Sequence, residues 1–246
     1  MKIFIFLVLA ILIGGGAFVA FLPMSMAADF ASKQLPDLHY KEASGSVWDG
    51  KLTEVVVGEQ KIGDLSIKAD FGSVFSGKAA GKVGLIREGF TGETDLAYPL
   101  GGGALELTGL KLSGKAGSVP GMPQVVATSG GDFALELREL KFAGNACESA
   151  SGEVWTDALA KIKHKGWVGP ELRGPVTCVD GTLRIDARGR AVSGEDVFAK
   201  MSISSRLDME LTATVVNATG SALEALTDLG FKPEGDVLVI RQSLGS

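Results

Sequence analysis

The sequence predicts a mainly β fold: an N-terminal single transmembrane helix followed by an extended, curved antiparallel β-sheet built from two related halves, with two or three short helices. Three observations predict it. Apolar and polar residues alternate at period two through most of the chain after residue 38, as in strands with one wet face and one covered face. Glycine supplies 34 of the 246 residues, about twice its usual share, and falls between the alternating segments as turn punctuation. Ala43-Ser44-Gly45-Ser46-Val47-Trp48 recurs as Ala150-Ser151-Gly152-Glu153-Val154-Trp155, and the pattern Gly-x-Leu-x-Ile-x-Ala recurs at 63–69 and 181–187 in the same order. The two echoes differ in offset by eleven residues. That reads as an old duplication with an insertion, not as a solenoid, which needs at least three units.

Residues 1–23 read as a transmembrane signal-anchor. Ile3 to Leu22 is twenty residues without a charge, enough to cross roughly 30 Å of hydrocarbon as a helix rising about 1.5 Å per residue. Gly14, Gly15 and Gly16 fit a membrane helix better than a soluble one. Lys2 alone precedes the run, which places the N-terminus in the cytoplasm and the remainder outside. A cleaved signal peptide is the competing reading, with Ser25-Met26-Ala27 as a small-x-small site, although an apolar region of this length exceeds the usual 7–15 residues. Either reading exports the body of the chain. Residues 24–37 form a linker in which Ala27 to Gln34 continues as a short helix until Leu35-Pro36 stops it. Residues 38–145 and 146–246 are the first and second halves of a periplasmic β domain.

Within the first half, Trp48, Leu52, Val55 and Val57 begin the strand content. Leu65, Ile67, Ala69 and Phe71 then alternate with Ser66, Lys68 and Asp70. Strands follow at 83–86, 103–108, 110–112 and 132–142. The last changes phase after Glu139, the mark of a bulge or a strand end. Pro120-Gly121-Met122-Pro123 is a turn or exposed loop. In the second half, Thr156 to Lys165 predicts a solvated helix with Thr156 as N-cap and Ala158, Leu159 and Ile162 on one side. Strands resume at 172–179, 181–188, 197–204 and 207–216. Ser221 to Leu229 predicts a helix capped by Ser221, with Glu224 in a capping box, Gly230 as the stop and Leu223, Leu226 and Leu229 buried. A last strand covers 237–240.

The composition excludes some functions. The net charge is −5 with both signs interspersed, so no basic stripe is present for nucleic acid. Cys147 and Cys178, the only cysteines, most simply form a disulfide in an exported domain; two buried free thiols are the alternative. Neither has a neighbour at metal-ligand spacing, and His39 and His164 lie far away. Asp180 and Asp186 sit in the charge alternation of a solvated strand face. Gly101-Gly102-Gly103 lacks the lysine and hydroxyl residue of a phosphate loop and reads as a loose turn. No nucleophile–base arrangement is present. The expectation is therefore no enzyme, no cofactor and no metal. Trp48 and Trp155, each in a motif opened by Gly45 or Gly152, read as structural anchors at matching places in the two halves, with ligand-stacking platforms as the alternative. Trp167 reads as a loop or sheet-edge residue.

The single N-terminal span ending in Leu22-Pro23, Gly-x-Val-Trp-Asp-Gly at 45–50, Gly-x-Val-Trp-x-Asp at 152–157, the Cys147 and Cys178 pair, Gly181-x-Leu, and Leu-x-x-Leu-Gly-Phe at 226–231 together resemble the type II secretion system protein N family, also called general secretion pathway protein N. The resemblance covers essentially the whole chain. Where that family usually carries a tryptophan in the strand after its first motif, this chain has Phe71. The resemblance implies a single-pass inner-membrane protein with a periplasmic domain. It would be an accessory or assembly component of the machine that exports folded proteins, without enzymatic activity, whose partners are other inner-membrane and periplasmic subunits. An alternative from the residues alone is a periplasmic lipid- or acyl-chain-binding β-groove, since nearly half of the residues are apolar and each period-two strand presents one greasy face.

Overall fold

Seventeen strands and four α-helices occupy the described part of the computed structural model, which comprises residues 22–34, 37–58, 60–119, 122–144, 146–204 and 209–244. The chain divides into two compact units, residues up to Arg87 and residues from Glu88 onward. Within each unit every strand pairing is antiparallel. The expected membrane span at 3–22 lies, apart from Leu22, outside the described residues. Among the described residues no helix is long and apolar enough to cross a membrane.

The first unit begins with helix α1 (Met24–Gln34), the helix expected in the linker. Met24 and Ala28, four residues apart and so on one helical face, are buried against Leu52 and Val55 of strand β3 (Gly50–Val57). Strands β1 (Leu38–His39) and β2 (Glu42–Gly45) pair with successive parts of β3, and β4 (Gln60–Ala69) and β5 (Lys78–Arg87) follow in order. Phe71 does not continue β4. Asp70 accepts the Gly72 N–H at 2.9 Å and opens a five-residue helix, α2 (Phe71–Phe75): an aspartate at an N-cap outcompetes the alternation.

In the second unit, β6 (Phe90–Pro99), β7 (Ala104–Lys115), β8 (Asp132–Ala143) and β9 (Ala146–Thr156) form a meander, with helix α3 (Gln124–Ala127) between β7 and β8. Strand β6 is absent from the sequence reading, and the segments read at 103–108 and 110–112 are one strand. The expected bulge is present: the β8–β9 register shifts between Leu137 and Glu139.

The helix expected at 156–165 does not form. Thr156 ends β9, its hydroxyl donating to the Asp132 carbonyl, and the Asp157 carboxylate accepts the Asp132 N–H. These bonds tie the segment to the start of β8, and after a turn it runs into a hairpin of β10 (Lys163–His164) and β11 (Trp167–Val168). Trp167 is correspondingly no edge residue: it is 2% exposed, inside the main core.

Strands β12 (Leu172–Val179), β13 (Thr182–Arg190), β14 (Asp196–Ile203) and β15 (Met209–Val216) extend the sheet, and β17 (Val237–Leu244) pairs with β15 while β16 (Lys232–Glu234) takes the outer edge. Helix α4 (Gly220–Asp228) begins one residue before the expected start, and its N-cap is Thr219, not Ser221, without a side-chain cap bond. It packs through Ala222, Ala225 and Leu226, with Leu229 half-buried against the same core as expected, while Leu223 faces solvent.

Two clusters form the interior of this unit. One joins α4 to Trp167, Leu172, Val197, Val215, Phe231 and Leu238. The other consists of strand residues alone, Leu137, Leu140, Cys147, Val176 and Leu183, and the partly buried residues packed on it come from strands as well.

Candidate interaction surfaces

The two copies of the repeated motif have the same register and different jobs. In the first unit Gly45 pairs with Gly50, which pairs with Ile67. In the second Gly152 pairs with Val176, which pairs with Ile185. Ile67 and Ile185 occupy the same place in Gly-x-Leu-x-Ile-x-Ala. The motif glycine and the motif isoleucine therefore stand two strands apart on one row in both units.

The first copy bends into a loop. Gly45 has φ +82°, and a β-carbon there would meet the Asp49 carbonyl oxygen at 2.3 Å. The Ser46 N–H donates to the Asp49 carbonyl, and the Ser46 hydroxyl oxygen accepts from the Trp48 and Asp49 N–H groups at 3.3 and 3.2 Å. The loop grips the entering chain: Val47 N–H donates to the Leu22 carbonyl at 3.0 Å, and Pro23 forms an antiparallel bridge with Ser46. Trp48 meets Phe71 edge-on at 4.8 Å, and Phe71 meets Phe75 edge-on at 5.2 Å.

The second copy stays in strand β9. A β-carbon on Gly152 would meet the Glu136 carbonyl oxygen at 2.2 Å, so glycine there permits close strand approach. The Trp155 indole N–H donates to Glu171 at 3.0 Å, and the Arg173 guanidinium lies 5.8 Å above the ring. The two tryptophans thus keep different company, unlike the equivalent packing expected of them.

Cys147 and Cys178 are bonded, with Cα atoms 5.6 Å apart, and Cys147 belongs to the strand-only cluster. The bridge joins the starts of β9 and of the turn between β12 and β13, where Cys147 N–H also donates to the Gly181 carbonyl at 2.8 Å.

The outer face of β8, β9, β12, β13 and β14 holds an open groove of about 830 Å³. Alternation explains its lining. Leu172, Val176, Leu183 and Ala187 point inward, so Arg173, Pro175, Asp186 and Arg188 point out. Four cations, Arg138, Arg173, Arg188 and Lys200, face two acids, Glu153 and Asp186. The Arg138 guanidinium donates to the Ser151 hydroxyl at 2.9 Å and Arg173 stands 3.8 Å from Glu171. The Arg188 and Lys200 side chains have no ion-pair or hydrogen-bond partner among the described residues, although Lys200 stands opposite Asp186 in the ladder. In the sequence Asp186 and its arginines read as a solvated face with no mark of a groove, because strand neighbours are assigned by topology.

No group of three or more possible metal ligands occurs among the described residues. His164 lies 3.1 Å from Asp228, and Lys165 2.6 Å from the same carboxylate, which the lysine and then the histidine hold below its ordinary range. This pins the β10–β11 hairpin to α4 and leaves the histidine without a nucleophile. No curated protein and no solved structure matches the chain. The family model described as type II secretion system (T2SS), protein N matches residues 36–236. That span takes in both motif copies, the disulfide and the groove, and the chain belongs to the type II secretion system protein N family, whose members are accessory components of type II secretion.

Proposed function

We propose that this protein is an assembly component of the type II secretion machine. Residues 3–22 tether it to the inner membrane, its two β units lie in the periplasm, and the outer groove of the second unit receives an acidic segment of another subunit. The observation that carries the reading is the pair of unpartnered cations, Arg188 and Lys200, in a groove of a protein whose net charge is −5. Charge complementarity of this kind steers encounter and selects partners. A sheet edge is a weaker binding surface here, because β16 is only three residues long and contains Pro233, both devices that blunt an edge.

Tagged full-length protein extracted from membranes is expected to retain other secretion subunits. An Arg188→Gln/Lys200→Gln variant is expected to lose them while unfolding near the parental temperature, since exposed substitutions usually change stability by about 0.5 kcal/mol or less and neutral side chains put no like charge opposite Asp186. A protein that crosslinks to no secretion subunit in cells sinks the reading.

A second reading, acyl-chain binding, has one observation in its favour. Leu105, Leu107, Leu110 and Leu112 of β7 are none of them fully buried, although Leu107 and Leu110 adjoin the strand-only cluster. Native mass spectrometry of gently extracted protein without bound lipid rejects it.

A further inference from the structure

The chain leaves its apolar run at Leu22-Pro23, and the first backbone it meets is the loop that carries Trp48. The hydrogen bond from Val47 N–H to the Leu22 carbonyl and the Pro23–Ser46 bridge fix that loop to the end of the run. Trp48 follows Val47 directly, so its Cα lies about 3.8 Å beyond the residue that makes the bond. From there two edge-on contacts lead outward through Phe71 to Phe75, which lies no more than about 10 Å from Trp48. Exposure rises along this path: Phe71 is 45% and Phe75 81% exposed.

Helix α2 has no core-facing side. None of its residues is buried, and Val74 is exposed together with the two phenylalanines. Solvent alone gives no reason to fold a turn that presents three large apolar side chains at once. The charges around it do not supply one, because Lys68 stands 3.9 Å from Asp49, and Asp70 is engaged as the cap of α2. Tryptophan concentrates where a chain crosses the headgroup layer, since its ring is apolar and its N–H polar, and phenylalanine on an interfacial segment buries into the boundary just beneath. That layer is roughly 5–8 Å deep on each side of the hydrocarbon, comparable to the reach of the three rings.

We infer that Trp48, Phe71 and Phe75 form an aromatic foot that sits in the lipid headgroup layer where residues 3–22 leave the bilayer, seating the first unit on the membrane. The inference rests on the membrane tether proposed above. It commits to phospholipid as the occupant, because the foot is joined by backbone bonds to the residue that ends the span.

The test uses the full chain in lipid nanodiscs containing dibrominated phospholipid, which quenches tryptophans at the membrane. Bromolipid is expected to lower the emission of the parent, and Trp48→Phe is expected to remove most of that quenching while Trp155 and Trp167 remain. Phe75→Asp is expected to reduce the quenching and leave carbonate-resistant membrane association intact. Equal quenching in parent and Trp48→Phe, with carbonate resistance retained, overturns the foot and leaves the tether standing; the rings would then face a protein. Extraction of the parent by carbonate overturns both.

Discussion

At the scale of single residues, Gly45, Asp157 and Trp167 have testable weight. Gly45→Ala must place a β-carbon 2.3 Å from the Asp49 carbonyl at φ +82°, so the loop has to open. The expected loss is about 1–3 kcal/mol in denaturant unfolding. Asp157 is tied by the Asp132 N–H at 2.6 Å and by Lys161 at 3.1 Å. Burial pushes its carboxyl up, but those two donors outweigh burial and hold it below the ordinary 3.8. A depressed carboxyl contributes stability above its unfolded value and loses it as pH falls through the folded one. The parent is therefore expected to lose stability below about pH 4, and Asp157→Asn to show a shallower acid limb in pH-dependent thermal melts. The Trp167 indole N–H is buried without an acceptor among the described residues. Trp167→Ala is expected to cost about 3–5 kcal/mol. Trp167→Phe should cost clearly less, because the orphaned donor leaves with the indole. The sequence carried no signal for Trp167, since its burial depends on a hairpin that only tertiary bonds specify.

Elements were legible where period two ran unopposed. Strands β4, β8, β12, β13, β14 and β15 follow from alternation, and the β8 bulge follows from its change of phase. Strand β6 shows no period in the sequence because Thr91, Glu93, Thr94 and Asp95 leave too few apolar residues. The segment after Trp155 misled in the opposite way: helix-like spacing of Ala158, Leu159 and Ile162 lost to the Thr156 and Asp157 bonds at the start of β8. Helix α4 follows from its pattern, with Leu226 buried and Leu229 packed on the core as expected, while Leu223 faces solvent. Leu226→Ala is expected to cost about 2–5 kcal/mol, and Leu223→Ala, at an exposed site, about 0.5 kcal/mol or less; urea unfolding of both separates the faces. The disulfide closes a separation of 31 residues. Its removal by Cys147→Ala/Cys178→Ala is expected to cost about 3–4 kcal/mol, again by urea unfolding.

For the molecule as a whole, the sequence carried the order of motifs and the β class, whereas the groove and the compact units required the strand pairing. The halves read at 38–145 and 146–246 describe a proposed ancestry. The compact units, parted at Arg87 and Glu88, describe packing, and β8 and β9 pair across the ancestral boundary. Matched registers in the two motif copies agree with the proposed duplication, whereas the different surroundings of Trp48 and Trp155 count against it. One copy lies in a regular strand beside a charged groove; the other forms the loop that holds Leu22. That grip has a mechanical meaning. With residues 3–22 as the proposed tether, a pull along it would divide between the chain running into α1 and, through the Val47–Leu22 bond and the Pro23–Ser46 bridge, the loop between β2 and β3.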